Sequence, residues 1–300
     1  MALCVINAGQ EIPPDLFERI AALPACAPVI AMIHGYRFCP ATPTHDPHRH
    51  ILSLEPQSSS RRAMSWPAAL GLTAEGAEGM GIAFGWNARG SLGAAYHQAG
   101  EAGRELGRII DRIAEVTGRP VHLFGHSLGA RVALAAARHS AGTGRVILLA
   151  AAELRDEAKA ALTEARRGAE FINITTREND LFDLGLELII GRAVRPALGF
   201  GLGEDRPDWL DIQIDDARVL AGLETLGFAI APGARRACHW SPYLREGVFD
   251  LYRAALTHPQ RLPLPLIRQH LPQAPAPRWS SLLRRPTLPG AGMISGRVRA

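Results

Sequence analysis

Apolar runs of strand length alternate along this chain with longer stretches in which apolar residues recur every three or four positions. That alternation predicts strands interleaved with helices, and therefore a mainly parallel sheet covered by helices on both faces: an α/β fold. The clearest strand candidates are residues 28–33, 81–86, 121–124, 146–150 and 171–175, with 209–214 a weaker sixth. Residues 95–117 read as a helix, because Leu106, Ile109, Ile110 and Ile113 form a stripe that can pack on a sheet. Gly118, Arg119 and Pro120 end it. A second helix is expected over 128–139, where no proline interrupts and Leu128, Val132, Leu134 and the alanines suit close burial. A third, amphipathic, is expected over 243–256.

The pattern changes past Pro259. Eight of the 22 prolines fall in the last 42 residues, and successive X-Pro pairs argue against helix and central strand. Residues 1–258 are therefore read as one domain and 259–300 as a peripheral Pro-rich tail, with Leu264, Leu266, Ile267 and Trp279 available to anchor it. Charge follows the same boundary. The tail holds seven arginines and no acid, which leaves residues 1–258 with 26 basic against 29 acidic groups, although the whole chain is formally +4. A basic face within the fold is thus not expected, which argues against nucleic acid as a partner. The tail itself offers weak contact to an acidic partner or a membrane surface.

No window supplies about 20 uninterrupted apolar residues; the nearest, 184–202, carries Glu187, Arg192 and Arg195, so no transmembrane span is expected. The first ten residues have no basic group before their short apolar run, unlike a signal peptide, and a cytoplasmic protein is expected. Cys4, Cys26, Cys39 and Cys238 lack the spacing of a zinc or redox site and are read as reduced structural thiols.

The chemistry concentrates where the strand at 121–124 runs into Gly125-His126-Ser127-Leu128-Gly129 and straight on into a helix. A chain that turns from strand to helix within one residue forces the central side chain into a strained conformation. Side chains at Gly125 or Gly129 would collide with the neighbouring strand or helix. Ser127 is read as a nucleophile held at the sheet edge, with the Leu128 N–H placed where negative charge would develop on an attacked carbonyl oxygen.

A serine hydroxyl needs a base to take its proton, and the base needs an acid to orient it. After the strand at 171–175 comes Thr176-Arg177-Glu178-Asn179-Asp180-Leu181-Phe182-Asp183, an acid-rich turn from which Asp180 is read as the acid, followed by Asp183 and then Glu178. His239, in Ala237-Cys238-His239-Trp240-Ser241, is read as the base. The strand at 28–33 ends in His34-Gly35-Tyr36, whose Tyr36 N–H is expected to be the second oxyanion donor, with Gly35 giving room and His34 supporting the loop.

In this order the motifs resemble those of α/β-hydrolases: the early His-Gly, the GHSLG turn, TTRENDLFD and CHWSPYL cover most of residues 28–256. AFGWNARGSLGAAY, GHSLGARVAL and HWSPYL resemble bacterial esterase- or lipase-like serine hydrolases of unassigned substrate. The resemblance implies Ser127, Asp180 and His239 as a triad, Tyr36 and Leu128 as the oxyanion hole, a carboxylic ester or thioester with a mainly apolar acyl group as substrate, and no cofactor. The gap between Asp180 and His239 is long, so 184–206 is expected to be an insertion, whether a flap, an interfacial patch or an extra packed helix. Residues 79–85 and 199–203 lack the strand and helix context of dinucleotide loops. His45, Asp46, His48 and His50 have the donor types of a metal site without specific spacing, and no metal is expected there.

Overall fold

The computed structural model describes residues 2–57, 63–73, 79–165, 168–233, 237–272 and 280. Its centre is a sheet of seven parallel strands: β1 (Leu3–Asn7), β2 (Val29–Ile33), β3 (Met80–Gly85), β4 (Val121–His126), β5 (Thr143–Leu149), β6 (Glu170–Thr175) and β7 (Trp209–Gln213). They lie in the order β1-β3-β2-β4-β5-β6-β7. All-parallel pairing requires both faces to be covered, and β2, β3 and β4 are buried at every position.

Successive residues of a strand serve opposite faces, and the core divides accordingly. Ala31 and Ile33 of β2 face a layer built from α1 (Leu16–Ala21), α3 (Leu92–Thr117), α4 (Leu128–His139) and α5 (Arg155–Glu164). Ile30 and Met32 face the other layer, in which α2 (Trp66–Ala69), α7 (Ala217–Thr225) and α9 (Val248–Thr257) contribute Trp66, Leu223, Tyr252 and Leu256. The stripe expected on α3 is buried in full: Leu106, Ile109, Ile110 and Ile113. Ser91 caps that helix by accepting from the Ala94 N–H at 3.2 Å, and Gly118 ends it in the left-handed conformation.

The six expected strands are present, and β1 is an addition. Only Cys4 and Ile6 of its five residues alternate inward while Val5 is exposed, a weak signal typical of a sheet edge. The helix expected over 243–256 divides into α8 (Ser241–Leu244) and α9. Gly247 lies between them at φ +84°, with its backbone so close to Ala229 that a Cβ would come within 2.0 Å of the Ala229 carbonyl oxygen. Helix α10 (Leu264–Gln269) stands in the segment expected to be non-helical. Its prolines sit at the first turn, where a missing N–H costs nothing, and Leu264 and Ile267 join the second core. Trp279 lies outside the described residues. No helix among the described residues is long and apolar enough to cross a membrane.

Strand order places the chemistry. The chain leaves β2 toward β3 on one side and leaves β4 toward β5 on the other, so the loops after these adjacent strands diverge and open a crevice beyond their carboxyl ends.

Candidate active site

Ser127 occupies that crevice at the junction of β4 and α4, with φ 58° and ψ −125°, a conformation that costs a residue with a side chain about 1–3 kcal/mol. The surroundings hold it there. Its N–H donates to the Leu149 carbonyl at 2.9 Å, and its own carbonyl accepts from Ala130 and Ala152, each at 3.0 Å. A Cβ at Gly125 would come within 2.5 Å of the Gly129 carbonyl oxygen, and one at Gly129 within 2.3 Å of the Ile33 oxygen. Both glycines are thus required by close backbone approach, as the sequence suggests.

Gly35 brings the loop after β2 against the serine. A Cβ there would lie 2.8 Å from the Ser127 Cβ and 3.4 Å from its Oγ. The Leu128 N–H, first in its helix, has no intrahelical acceptor. Among the described residues neither it nor the Tyr36 N–H donates to any protein group. His34 supports this loop. Its Nε2 accepts from the Trp86 N–H at 3.1 Å, so Nδ1 carries the proton and donates to the Gly35 carbonyl at 3.0 Å. The Trp86 indole donates back to the His34 carbonyl at 3.1 Å. Complete burial pushes the His34 pKa down to about 3, so the ring is neutral.

His239 lies beside the residue that precedes the serine: its ring centroid is 4.5 Å from that of His126. The His126 Nε2–H donates to the His239 carbonyl at 2.9 Å and ties the histidine loop to the end of β4. Burial pushes His126 down to about 4, and desolvation together with neighbouring His126 keeps His239 well below the ordinary imidazole value. Phe182 stacks on His239 at 4.6 Å between centroids. The backbone N–H of Cys238 donates to the Glu178 carbonyl at 2.8 Å, joining the histidine loop to the acidic turn.

The group on the imidazole is not Asp180 but its predecessor. Asn179 Oδ1 accepts from Nδ1 of His239 at 2.6 Å, and Asn179 Nδ2 donates to Asp183 Oδ1 at 2.9 Å. Asp180 points elsewhere, accepting from the Ser280 N–H at 3.0 Å and from the Ser280 hydroxyl. Glu178 forms a buried ion pair with Arg245 at 2.9 Å. Geometry at the start of α6 (Asp180–Ile189) explains the displacement. One residue along a helix rotates a side chain by about 100°, whereas positions four apart share a face, so Asn179 and Asp183 line up and Asp180 does not. An uncharged amide carries no sequence signal as the partner of a base; its place in the same turn as the expected acid is the one clue available. His126, inside the motif itself, likewise reads in the sequence only as a spacer.

Around the candidate metal loop, His48 Nε2 pairs with Asn7 at 2.7 Å, and His45 Nδ1 lies 2.8 Å from Thr44 Oγ1 and 2.7 Å from an Arg89 nitrogen. Among the described residues no group of three or more His, Cys, Asp or Glu is placed to hold a metal ion. The 184–206 segment packs from behind: Leu186, Ala197, Leu198 and Leu202 enter the first core, while Leu188, Ile189 and Val194 stay exposed. A cleft of about 930 Å³ beside β7 and α10 is lined by Trp209, Asp211 and Arg268 and by none of the groups above.

Comparison with protein-family models and with curated proteins finds no match to this chain. Its seven-stranded parallel sheet flanked by helices is compatible with α/β-hydrolase-like folds.

Proposed function

We propose that this chain is an α/β-hydrolase-type serine hydrolase that cleaves a carboxylic ester or thioester with a mainly apolar acyl group. The observation that carries this reading is the strained Ser127, followed by the Leu128 N–H and faced by the Gly35 loop whose Tyr36 N–H, like that of Leu128, has no acceptor among the described residues, with the His239 ring 4.5 Å between centroids from that of adjoining His126 and its Nδ1 proton engaged by Asn179. Because Nδ1 donates, Nε2 keeps its lone pair and is the atom to receive the serine proton.

The reaction then runs as two acyl transfers. Ser127 Oγ attacks the carbonyl carbon while its proton passes to His239 Nε2, and the Tyr36 and Leu128 N–H groups receive the oxyanion. Collapse breaks the bond to the leaving alkoxide or thiolate, which takes the proton from Nε2. Water adds to the acyl-enzyme by the same route and releases the acid. An amide orienting the histidine in place of a carboxylate has a counterpart in the Cys-His-Asn arrangement of cysteine proteases. The apolar acyl preference rests on α6, where Leu181, Phe182, Leu188 and Ile189 are exposed and Phe182 covers the imidazole.

The test is covalent labelling by a fluorophosphonate. The wild-type chain is expected to label at Ser127, and Ser127→Ala and His239→Ala are each expected to abolish labelling with the fold intact by circular dichroism. A folded wild-type chain that takes no label overturns the hydrolase reading and leaves a non-catalytic binding protein on this scaffold. Labelling followed by chromogenic esters of increasing chain length then measures the acyl preference.

A further inference from the structure

A carboxylate beside an imidazole has no wrong face, but an amide does. If Asn179 turned its NH2 toward His239, Nδ1 would have to accept, the ring proton would move to Nε2, and the atom needed as base would be occupied. Something must fix the amide, and among the described residues Asp183 is placed to do so. Asp183, 2% exposed and one helical turn beyond Asn179, offers a carboxylate oxygen as acceptor. It takes the Asn179 Nδ2–H at 2.9 Å, which leaves Oδ1 for His239. The carboxylate is itself closely packed by Gly199. A Cβ at Gly199 would come within 2.1 Å of Asp183 Oδ2 and 2.4 Å of Cγ, so the backbone of the 184–206 segment backs the clamp directly.

We propose that Asp183 is a positioning residue: by fixing the orientation of the Asn179 side-chain amide it selects the His239 tautomer with a free Nε2. This rests on the serine hydrolase reading for its catalytic consequence, although the tautomer itself is a property of the resting protein. Other ionisable groups facing the imidazole loop are neutral or already engaged. His126 is an uncharged donor to the His239 carbonyl, Glu178 is paired with Arg245, and Asp180 is bonded to Ser280. The hydrogen-bond chain to Nδ1 of His239 therefore runs from Asp183 through the Asn179 amide.

The decisive experiment is a double-mutant cycle in the full chain, read by fluorophosphonate labelling rate and by 15N NMR of labelled histidines, which reports the protonated ring nitrogen. Asp183→Ala is expected to slow labelling about tenfold or more and to populate the Nε2–H form of His239. Combining it with Asn179→Asp puts a carboxylate directly on Nδ1, where orientation no longer matters; Nδ1–H and a near wild-type labelling rate are expected to return. Gly199→Ala, which displaces the clamp without removing it, is expected to shift the tautomer in the same direction as Asp183→Ala. If Asp183 were purely structural, its loss would cost as much in the Asn179→Asp background as in the wild-type chain, and that result overturns the proposal, as does an unchanged tautomer in both Asp183→Ala and Gly199→Ala. If the wild-type chain takes no label, the hydrolase reading fails while the NMR arm still decides the role of Asp183.

Discussion

Two polar clusters on the sheet, one around Arg145 at the amino end of β5 and one around Ser127 at the carboxyl end of β4, differ in how their polar groups are partnered. At the amino end, Arg145 near the start of β5 is 2% exposed and its guanidinium is saturated: it bonds Glu170 and donates to the carbonyls of Ala255 at 3.1 Å, Leu262 at 2.9 Å and Pro259 at 3.2 Å. His122 beside it accepts the Arg145 N–H at 2.8 Å. At the carboxyl end, the Ser127 hydroxyl, the Nε2 of His239 and the Tyr36 and Leu128 N–H groups make no hydrogen bond among the described residues. Saturated groups staple the chain, whereas groups left without partners are available to a substrate.

Acid strikes both ends and is expected to have the largest effect. His34 is held at about pKa 3 and His122 and His126 at about 4, each because burial disfavours the charged ring. With folded values below the unfolded value near 6.5, the unfolded chain binds more protons as pH falls. The stabilisation is therefore complete above about pH 6.5 and is lost progressively toward pH 4. At pH 5 the loss is about 2 kcal/mol for each of these histidines. Thermal melts at pH 7 and pH 5 check this, and equal midpoints would contradict it.

Paired substitutions separate the ends. His239→Ala is expected to cut Ser127 labelling by roughly 10³-fold or more with a melting temperature close to wild type. Arg145→Met should do the reverse. It leaves three carbonyls without their donor and costs about 3 kcal/mol, or roughly 5–10 °C in Tm, while the folded fraction labels normally. Loss of labelling without loss of stability in Arg145→Met would break the comparison. The smallest effect is expected from Ser280→Ala, which removes one hydrogen bond to buried Asp180. A cost of about 1–2 kcal/mol by urea titration, with labelling unchanged, would sharpen the assignment of Asp180 to anchoring and of Asn179 to the imidazole.

Much of this is legible in one dimension because the signals are local. Apolar runs and helical stripes announce six of the strands and helices α3 and α4, and the GHSLG turn carries its own steric logic in Gly125, which faces the Gly129 backbone. Where contacts between distant segments decide, the pattern is silent. β1 is a short edge strand with one exposed apolar residue, the break before α9 depends on Ala229, and α10 is defined by the core it enters. The partner of His239 belongs with these. Three carboxylates and an amide share one turn, and no local rule ranks them once the helix rotates one to Ser280, one to Arg245 and one behind the amide.

The amino-acid sequence by itself determined the α/β class and the strained strand-to-helix turn that presents Ser127, since hydrophobic periodicity and the steric contact of Gly125 with Gly129 act between near neighbours. Tertiary structure alone decided which side chain meets His239, which of its nitrogens that partner engages, and how the 184–206 segment backs Asp183. Those outcomes depend on the phase of a helix and on hydrogen bonds between residues some sixty positions apart, directional contacts that chain order does not encode in any local pattern.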